Sequence, residues 1–513
     1  MQRPSGNKSE NTVAIIGAGP GGLVTARWLA QHGFEPILFE AADKLGGQWN
    51  RRHPASGIWN GMRTNTSRVM SAFSDLDHAP EVGVYPRQDQ MLDYLERYAL
   101  SFDLVRRIRF GTRIERLERT SAGRWLVRHV SAEGVEEQSF ANVVVATGPQ
   151  AAPAVPDVPG LDGFTGILGT RHTAQYDGAE RYRGRSVLVA GCSISALEIA
   201  SDLAFAGARE VITTYRRQRY VLPKLIAGVP TDHVMFNRAA ALAAEVASPE
   251  ALAGHLKAAV LRAGGSPEQF GAPAPDANIF VAGITQAQHY LPAVAEGRIT
   301  VRPWIDRVEK SRVYFNDGSS MEPDAILLGT GYQISLPWLA PDVGAILNTG
   351  GESLDLHLHT FHPDLPGLAF VGLYNLVGPY LPVLELQARW IAYALAGLVP
   401  IAPKDEMAAG VAACRAMRER GQPTVLHELA IALARHAAVE PDLDCWPELE
   451  RALLFGPLSA VSFRLNGPDS MGNASERVRA AAAAFGAISS PTFTAEEAGL
   501  RQMVRSSAVP VAA

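Results

Sequence analysis

The sequence predicts an α/β fold with two doubly wound units, one inserted into the other, plus helical elaborations. Three observations predict it. A short apolar run, a glycine-rich turn and an amphipathic helix follow one another near residue 17, and the same succession restarts near residue 191. An apolar run ending in a small-residue turn then follows each copy, at 142–148 and at 324–331.

In the first copy Val13 to Ile16 reads as a strand, GAGPGG as the turn, and LVTARWLAQHG as a helix that Gly33 stops. A second strand, Ile37 to Phe39, ends on Glu40. The second copy reads SVLVA at 186–190, then GCSISA, then the helical LEIASDLAFAG and the strand-like EVITTY. Gly17 and Gly191 are 174 residues apart, which is a duplicated organisation and not a solenoid period. The proline-rich AAPAVPDVPG at 151–160 disfavours helix and reads as the connector. The expected domains are 1–165, then 166–323 with an alanine-rich helical insert at 217–300, then 324–513, which returns to the first unit. Residues 400–480 read as mostly helical, and the last twenty or so as a frayed tail.

Composition narrows the function classes. Hydrophobic residues at 47% and charged residues at 19% are a globular balance, and a net charge of -5 gives no general attraction for nucleic acid or an anionic membrane. The three cysteines, Cys192, Cys414 and Cys445, form no CxxC pair, and no Cys/His cluster has metal-ligand spacing. Neither a disulfide framework nor a metal site is expected. The opening residues are polar and show no secretory leader. The most apolar stretch, Asn375 to Pro400, carries Glu385, Gln387 and Arg389 in its middle, which is costly in hydrocarbon. A cytoplasmic protein without a membrane anchor is expected.

The turns carry the chemistry. In a Rossmann-like GxGxxG, Gly17 permits a tight turn, Gly19 lets the main chain approach a pyrophosphate, and Gly22 allows close helix packing; Ala18, Pro20 and Gly21 complete the cradle. Glu40, 18 residues after Gly22, is placed to accept from ribose hydroxyls. The second turn has Gly191, Ser193, Ser195 and Ala196, and its second strand ends without an acid, at Tyr215, Arg216 and Arg217. An arginine there can pair with a 2′-phosphate, which favours NADPH. Two unlike sites on one chain imply electron traffic between cofactors, FAD at the first and NADPH at the second.

On these residues the chain resembles the flavin-containing monooxygenases, class B flavoprotein monooxygenases. GAGPGG with Glu40 and GGQW at 46–49 resemble the family's FAD turn and its follow-on, and RTNTSR at 63–68 its threonine-asparagine segment. YPRQDQMLDYLERYA at 85–99, the segment 315–332 ending in GTGY, LAFVGLYN with ELQARW at 368–390, and FGPLSAVSFRLNGP at 455–468 resemble later blocks. The resemblance implies an NADPH- and FAD-dependent monooxygenase that passes one oxygen atom of dioxygen, through a flavin C4a-hydroperoxide, to a soft nucleophile such as an amine nitrogen or a sulfide sulfur. It implies Asn65 as the principal catalytic residue, its neutral amide donating to the peroxide or to bound NADP. It further implies cofactor contacts at Gln48, Trp49, Thr64, Thr66, Ser195 and Ala196. The family fingerprint FxGxxxHxxxY is found as Phe164, Gly166, His172 and Tyr176 with two extra residues before the histidine, which leaves the role of His172 open. A Baeyer-Villiger enzyme acting on ketones, a dedicated N-hydroxylase and a non-catalytic flavoprotein are the alternatives; a disulfide reductase lacks its dithiol. The expected partners are a small nucleophilic substrate and dioxygen, and a homo-oligomer is compatible with them.

Overall fold

The computed structural model describes residues 11–349, 351 and 353–507; the polar opening at 1–10 and the final residues of the expected tail lie outside them. Apolar strand residues build two five-stranded parallel sheets of like plan. The first runs, in spatial order, Leu368–Phe370, Asn142–Val145, Thr12–Ile16, Glu35–Phe39, Ile108–Arg109. The second runs Thr300–Arg302, Glu210–Thr214, Ser186–Ala190, Ala325–Leu328, Gly169–His172.

Both sheets are covered on both faces, so their central strands are apolar throughout instead of alternating. Val13 and Ile15 face the helices, in a core shared with Trp28 and Trp390, while Ala14 and Ile16 face Leu117, Trp125 and Phe140. The latter come from a three-stranded antiparallel meander, Arg113–Arg119, Trp125–Ser131 and Gly134–Phe140. The second unit repeats the layering: Val187 and Val189 pack on Leu197 and Leu203, while Leu188 and Ala190 pack on Ile305, Val313 and Phe315 of a second meander.

The two chain crossings between units run side by side. Ala152–Pro153 pairs antiparallel with Tyr332–Gln333, and Ala154 N–H donates to Gly331 O at 2.9 Å. The expected span 166–323 is therefore too short at both ends. Val158 and Leu161 already belong to the second core, and the strand Ala325–Leu328, assigned above to the returning part of the first unit, pairs with Ser186–Ala190.

The insert at 217–300 is helical, as expected, at Arg238–Val246 and Pro249–Gly264, but also contains the parallel strand pair Tyr220–Leu222 and Ile284–Gln286. Arg238, 1% exposed, clasps the insert to the C-terminal helices by donating to Glu440 Oε1 at 2.7 Å and to Leu453 O at 2.6 Å. The tail expectation is corrected: Ala495–Ser507 is a helix, fixed by Arg501 and Arg505 on Glu450. Its arginines find a buried carboxylate, so it does not fray.

The helix Leu381–Ala396 packs against Pro20–Gln31 and is buried from Leu381 to Ala394, its polar residues included. Gln387 accepts from Gly372 N–H at 3.1 Å and donates to Thr360 Oγ1 at 2.9 Å. Arg389 donates to Phe463 O at 2.7 Å. Glu385 accepts from Ser74 N–H at 2.7 Å and from the Ser74 hydroxyl, while Arg464 donates to Ser74 Oγ at 2.6 Å and Asp75 Oδ1 at 2.8 Å. Arg27 takes the other Asp75 oxygen at 2.8 Å. The polar residues that argued against a span are thus partners in a protein core, and among the described residues no helix is long and apolar enough to cross a membrane. Removing one partner of such a network leaves buried charge uncompensated. Arg464→Met should cost about 3–5 kcal/mol in urea unfolding; a loss below about 1 kcal/mol would mean the arginine is not needed to neutralise Glu385 and Asp75.

Candidate functional site

The two turns close by the same main-chain approaches. Gly17 N–H donates to Phe39 O and Gly191 N–H to Thr214 O, each at 2.8 Å. Their φ values are +104° and +131°, and a Cβ would stand 2.7 Å from Ala146 O at the first and 2.2 Å from Gly329 O at the second. Only glycine fits. A Cβ at Gly22 would lie 2.0 Å from Gly17 O. In the second unit Ala196 stands at that position and faces Gly329, whose own Cβ would meet Ala196 Cβ at 2.5 Å.

The helix starts differ. Gly19 caps Pro20–Gln31 without any side chain, lies against Gly47, and is flanked by Ala18, whose carbonyl accepts from Gly46 N–H at 2.9 Å. That open, positively polarised end suits a pyrophosphate. At Ile194–Phe205, Ser193 is the cap: its hydroxyl accepts from Ala196 N–H at 3.4 Å and donates to Gly329 O at 3.0 Å. With φ -85° and ψ 167° it sits in extended backbone, so serine there imposes no strain. The half-buried Ser195 hydroxyl has no hydrogen-bond partner among the described residues.

The residues that follow the second strands differ as well. Glu40 is 2% exposed; Oε2 accepts from Ala18 N–H at 2.7 Å, Oε1 accepts from Ala42 N–H at 2.9 Å and lies 3.6 Å from His53 Nε2. The carboxylate thus ties the glycine turn to the strand end and keeps further lone pairs for a diol. In the second unit Arg216 and Arg217 are exposed, and the Arg216 guanidinium lies 4.9 Å from the Trp304 ring centroid. Lys224, further along the chain, is instead buried and paired with Glu198 at 3.2 Å. Gln48 is exposed and Trp49 half-buried, on a short turn beside Gly47. All three cysteines are free, and Cys192 is buried within the second turn.

Asn65 rides on a segment gripped by both units. Thr64 N–H donates to Pro86 O at 2.9 Å, its hydroxyl donates to Thr66 O at 2.7 Å, and Thr66 Oγ1 pairs with Ser71 Oγ at 2.7 Å. Asn65 itself is half-buried, and its amide has no protein partner among the described residues. Next to it, Ser67 N–H donates to Asp232 Oδ2 at 2.5 Å and Ser67 Oγ lies 3.2 Å from His233 Nε2. Both partners belong to the helix Thr231–Met235 of the insert and are 2% exposed. Ser74, ten residues along the chain from Thr64, is the one held by Glu385 and Arg464. Asp232 and His233 escaped the sequence reading because an Asp-His dipeptide in an alanine-rich insert carries no pattern. Glu385 could have been found, since a carboxylate in an apolar helix needs a buried partner.

The fingerprint residues have packing partners. A Cβ on Gly166 would stand 2.2 Å from the Phe164 ring, so the ring lies across that glycine. His172 Nδ1 accepts from Ala174 N–H at 3.1 Å, which leaves Nε2 to donate to Gly331 O at 3.0 Å. Tyr176 donates to Asp202 at 2.6 Å. Both His172 nitrogens are therefore used, Nδ1 in capping the turn that follows it and Nε2 in holding the strand Gly169–His172 to the crossing at Gly331.

Burial raises the Asp232 carboxyl from 3.8 to about 7 and lowers His233 from 6.5 to about 4. Between about 4 and about 7 the folded state holds the Asp232 proton while an unfolded chain has lost it, so this group makes stability fall as pH rises. His233 acts oppositely up to about 6.5. Asp232→Asn removes only the first contribution. Its stability relative to the parent should grow from about pH 4 to about pH 7 in urea unfolding, and a constant difference would mean an aspartate ionised throughout.

The family model described as flavin-binding monooxygenase-like matches residues 10–484. The N-oxide-forming dimethylaniline monooxygenase 2 of Rattus norvegicus is 28% identical over 482 residues, 89% of each chain. Among solved structures, S-allyl-L-cysteine S-oxygenase from Allium sativum aligns with TM-score 0.60 at 24% identity, over 83% of this chain and 88% of the other. Cyclohexanone monooxygenase bound to ε-caprolactone aligns with TM-score 0.63 at 21% identity, over 83% of this chain and 98% of that one. These structural likenesses establish a shared fold.

Proposed function

We propose, from the premise that the chain belongs to the flavin-binding monooxygenase-like family and is a flavin-dependent monooxygenase, that it uses FAD and NADPH to transfer one oxygen atom from dioxygen to an amine nitrogen or a sulfide sulfur. Asn65 carries the proposal: a neutral amide without a protein partner, on a segment anchored from both units. When bound, FAD supplies the oxygen activation and NADPH the hydride. The chain's own part is to hold these groups and exclude charge.

The uncapped start of Pro20–Gln31 and the close glycines 17, 19, 22 and 47 fit a pyrophosphate, and the free Glu40 lone pairs fit a ribose diol. The capped second turn offers less main chain to an anion. The Ser195 hydroxyl and the arginines at 216 and 217 compensate there, Arg216 being oriented by Trp304. Asn65 can donate two hydrogen bonds toward the reacting centre without adding an acid. The relatives named for N-oxide formation and for S-oxygenation support a soft nucleophile as substrate. A cytoplasmic setting, where NADPH is available, agrees with the proposal.

The deciding experiment incubates the purified flavoprotein with NADPH, dioxygen and a panel of tertiary amines, sulfides and ketones. An N- or S-oxide is expected. An ester from a ketone would replace the proposal with Baeyer-Villiger chemistry, and failure of NADPH to reduce the flavin would end both.

Two variants probe the parts. Asn65→Asp places a carboxylate where a donor is needed; product formed per NADPH consumed should fall by at least about tenfold while NADPH oxidation continues. Unchanged coupling would remove Asn65 from the chemistry. Arg216→Ala should raise the KM for NADPH by about 10- to 100-fold, the loss of one or two charge-assisted hydrogen bonds, and leave that for NADH within about twofold. Parallel changes would refute a 2′-phosphate contact.

A further inference from the structure

Away from both nucleotide turns, three segments of the C-terminal region converge around Trp390. The helix Lys404–Glu419 lies along residues 354–359: Cys414 donates to Leu354 O at 3.4 Å, and a Cβ on Gly410 would stand 1.9 Å from His357 Nδ1. Glu406, Gly410 and Cys414, spaced by four, share that face. His436 ends the helix Leu426–His436, its ring centroid 4.9 Å from that of Trp390 and 5.3 Å from that of His357. One donor atom from each of His357, Glu406 and His436 lies within 4.8 Å of the other two, and His436 Nε2 is 3.6 Å from Glu406 Oε1.

His357 is the informative member. It is 5% exposed, and neither ring nitrogen has a hydrogen-bond partner among the described residues. A buried, unpartnered polar atom costs about 1–3 kcal/mol and calls for a reason. Glycine at 410 permits the close approach of this imidazole to the helix, where any other residue would push it away. Burial lowers His357 to about 4, so at neutral pH it presents a free lone pair rather than a charge. The cluster also sits at the C-terminal end of one helix, which favours a cation.

We infer that His357, Glu406 and His436 form a binding site for a divalent transition-metal ion of the zinc type. Two imidazoles and one carboxylate suit Zn²⁺, Co²⁺ or Ni²⁺, whereas Mg²⁺ and Ca²⁺ prefer all-oxygen sets. Metal-ligand bonds of about 2.0–2.2 Å put tetrahedral donors about 3.4 Å apart, so no donor pair needs to close by more than about 1.4 Å. Glu406 is exposed and His436 half-buried, which lets those two side chains close on the fixed His357 and leaves a coordination position for water. The ion would tie both helices to a segment that joins the first sheet, since Phe370 N–H donates to Thr360 O at 3.0 Å. It is therefore a structural staple, independent of the oxygenation chemistry.

The test titrates Co²⁺ into chelator-treated, dialysed holoenzyme and follows visible difference absorption and tryptophan fluorescence, with Zn²⁺ as competitor. One Co²⁺ per chain, displaced by Zn²⁺, is expected. Glu406→Gln and His436→Asn change accessible side chains and should each weaken binding by at least about tenfold. The metal-free melting temperature of each variant, compared with the parent's, confirms that its fold persists. Saturating Zn²⁺ should raise the melting temperature of the parent and not of the variants. Absence of a stoichiometric Co²⁺ signal in the parent, or equal binding by both variants, would overturn the site.

Discussion

The anchoring of residues 64–77 is the constraint on which the rest depends. A side chain can be left unpaired and still point in one direction only if the main chain beneath it is fixed elsewhere. Ser67 supplies one fixed point through Asp232 and His233 of the inserted unit, and Ser74 the other through Glu385 and Arg464 of the first. Because the anchors come from different units, the two dinucleotide folds and the buried helix Leu381–Ala396 must all be in place before Asn65 is. The cost of burying so many charges is offset by mutual pairing: Arg27, Asp75, Glu385 and Arg464 neutralise one another.

A single plan of sheet, helix and meander serves two unlike turns, and the difference lies in a few atoms. Where the first helix starts on a bare glycine, the second starts on a serine whose hydroxyl already occupies its end. Where the first strand pair ends in a carboxylate drawn inward to Ala18, the second ends in guanidinium groups turned outward. The glycine that makes room for the helix also differs, Gly22 against the carbonyl of Gly17 in one unit and Gly329 against Ala196 in the other. A geometric requirement is kept while its residues move.

Much of this was legible in the sequence. Strand, turn and helix repeat locally, so periodicity and glycines locate both units, and Glu40 and Arg216 stand where strand ends put them. The domain limits were misjudged because sheet membership is not local: Ala325–Leu328 reads like any apolar run until it pairs with Ser186–Ala190. The tail was read as frayed because composition does not reveal that Arg501 and Arg505 find Glu450. His357, Glu406 and His436 are too far apart in sequence to register as a ligand set, and Asp232 gains meaning only from the serine it faces. His172, whose role the fingerprint left open, has both nitrogens bonded to main chain.

The paired crossing of Ala152–Pro153 and Tyr332–Gln333 has a mechanical consequence. Two strands hydrogen-bonded side by side cannot separate without losing those bonds, so the two chain crossings form one joined connection instead of two loose tethers. His172, bonded to Gly331 beside that pair, ties it to the edge strand of the second sheet. The second unit therefore enters and leaves the first through one two-stranded ribbon that its own edge strand grips.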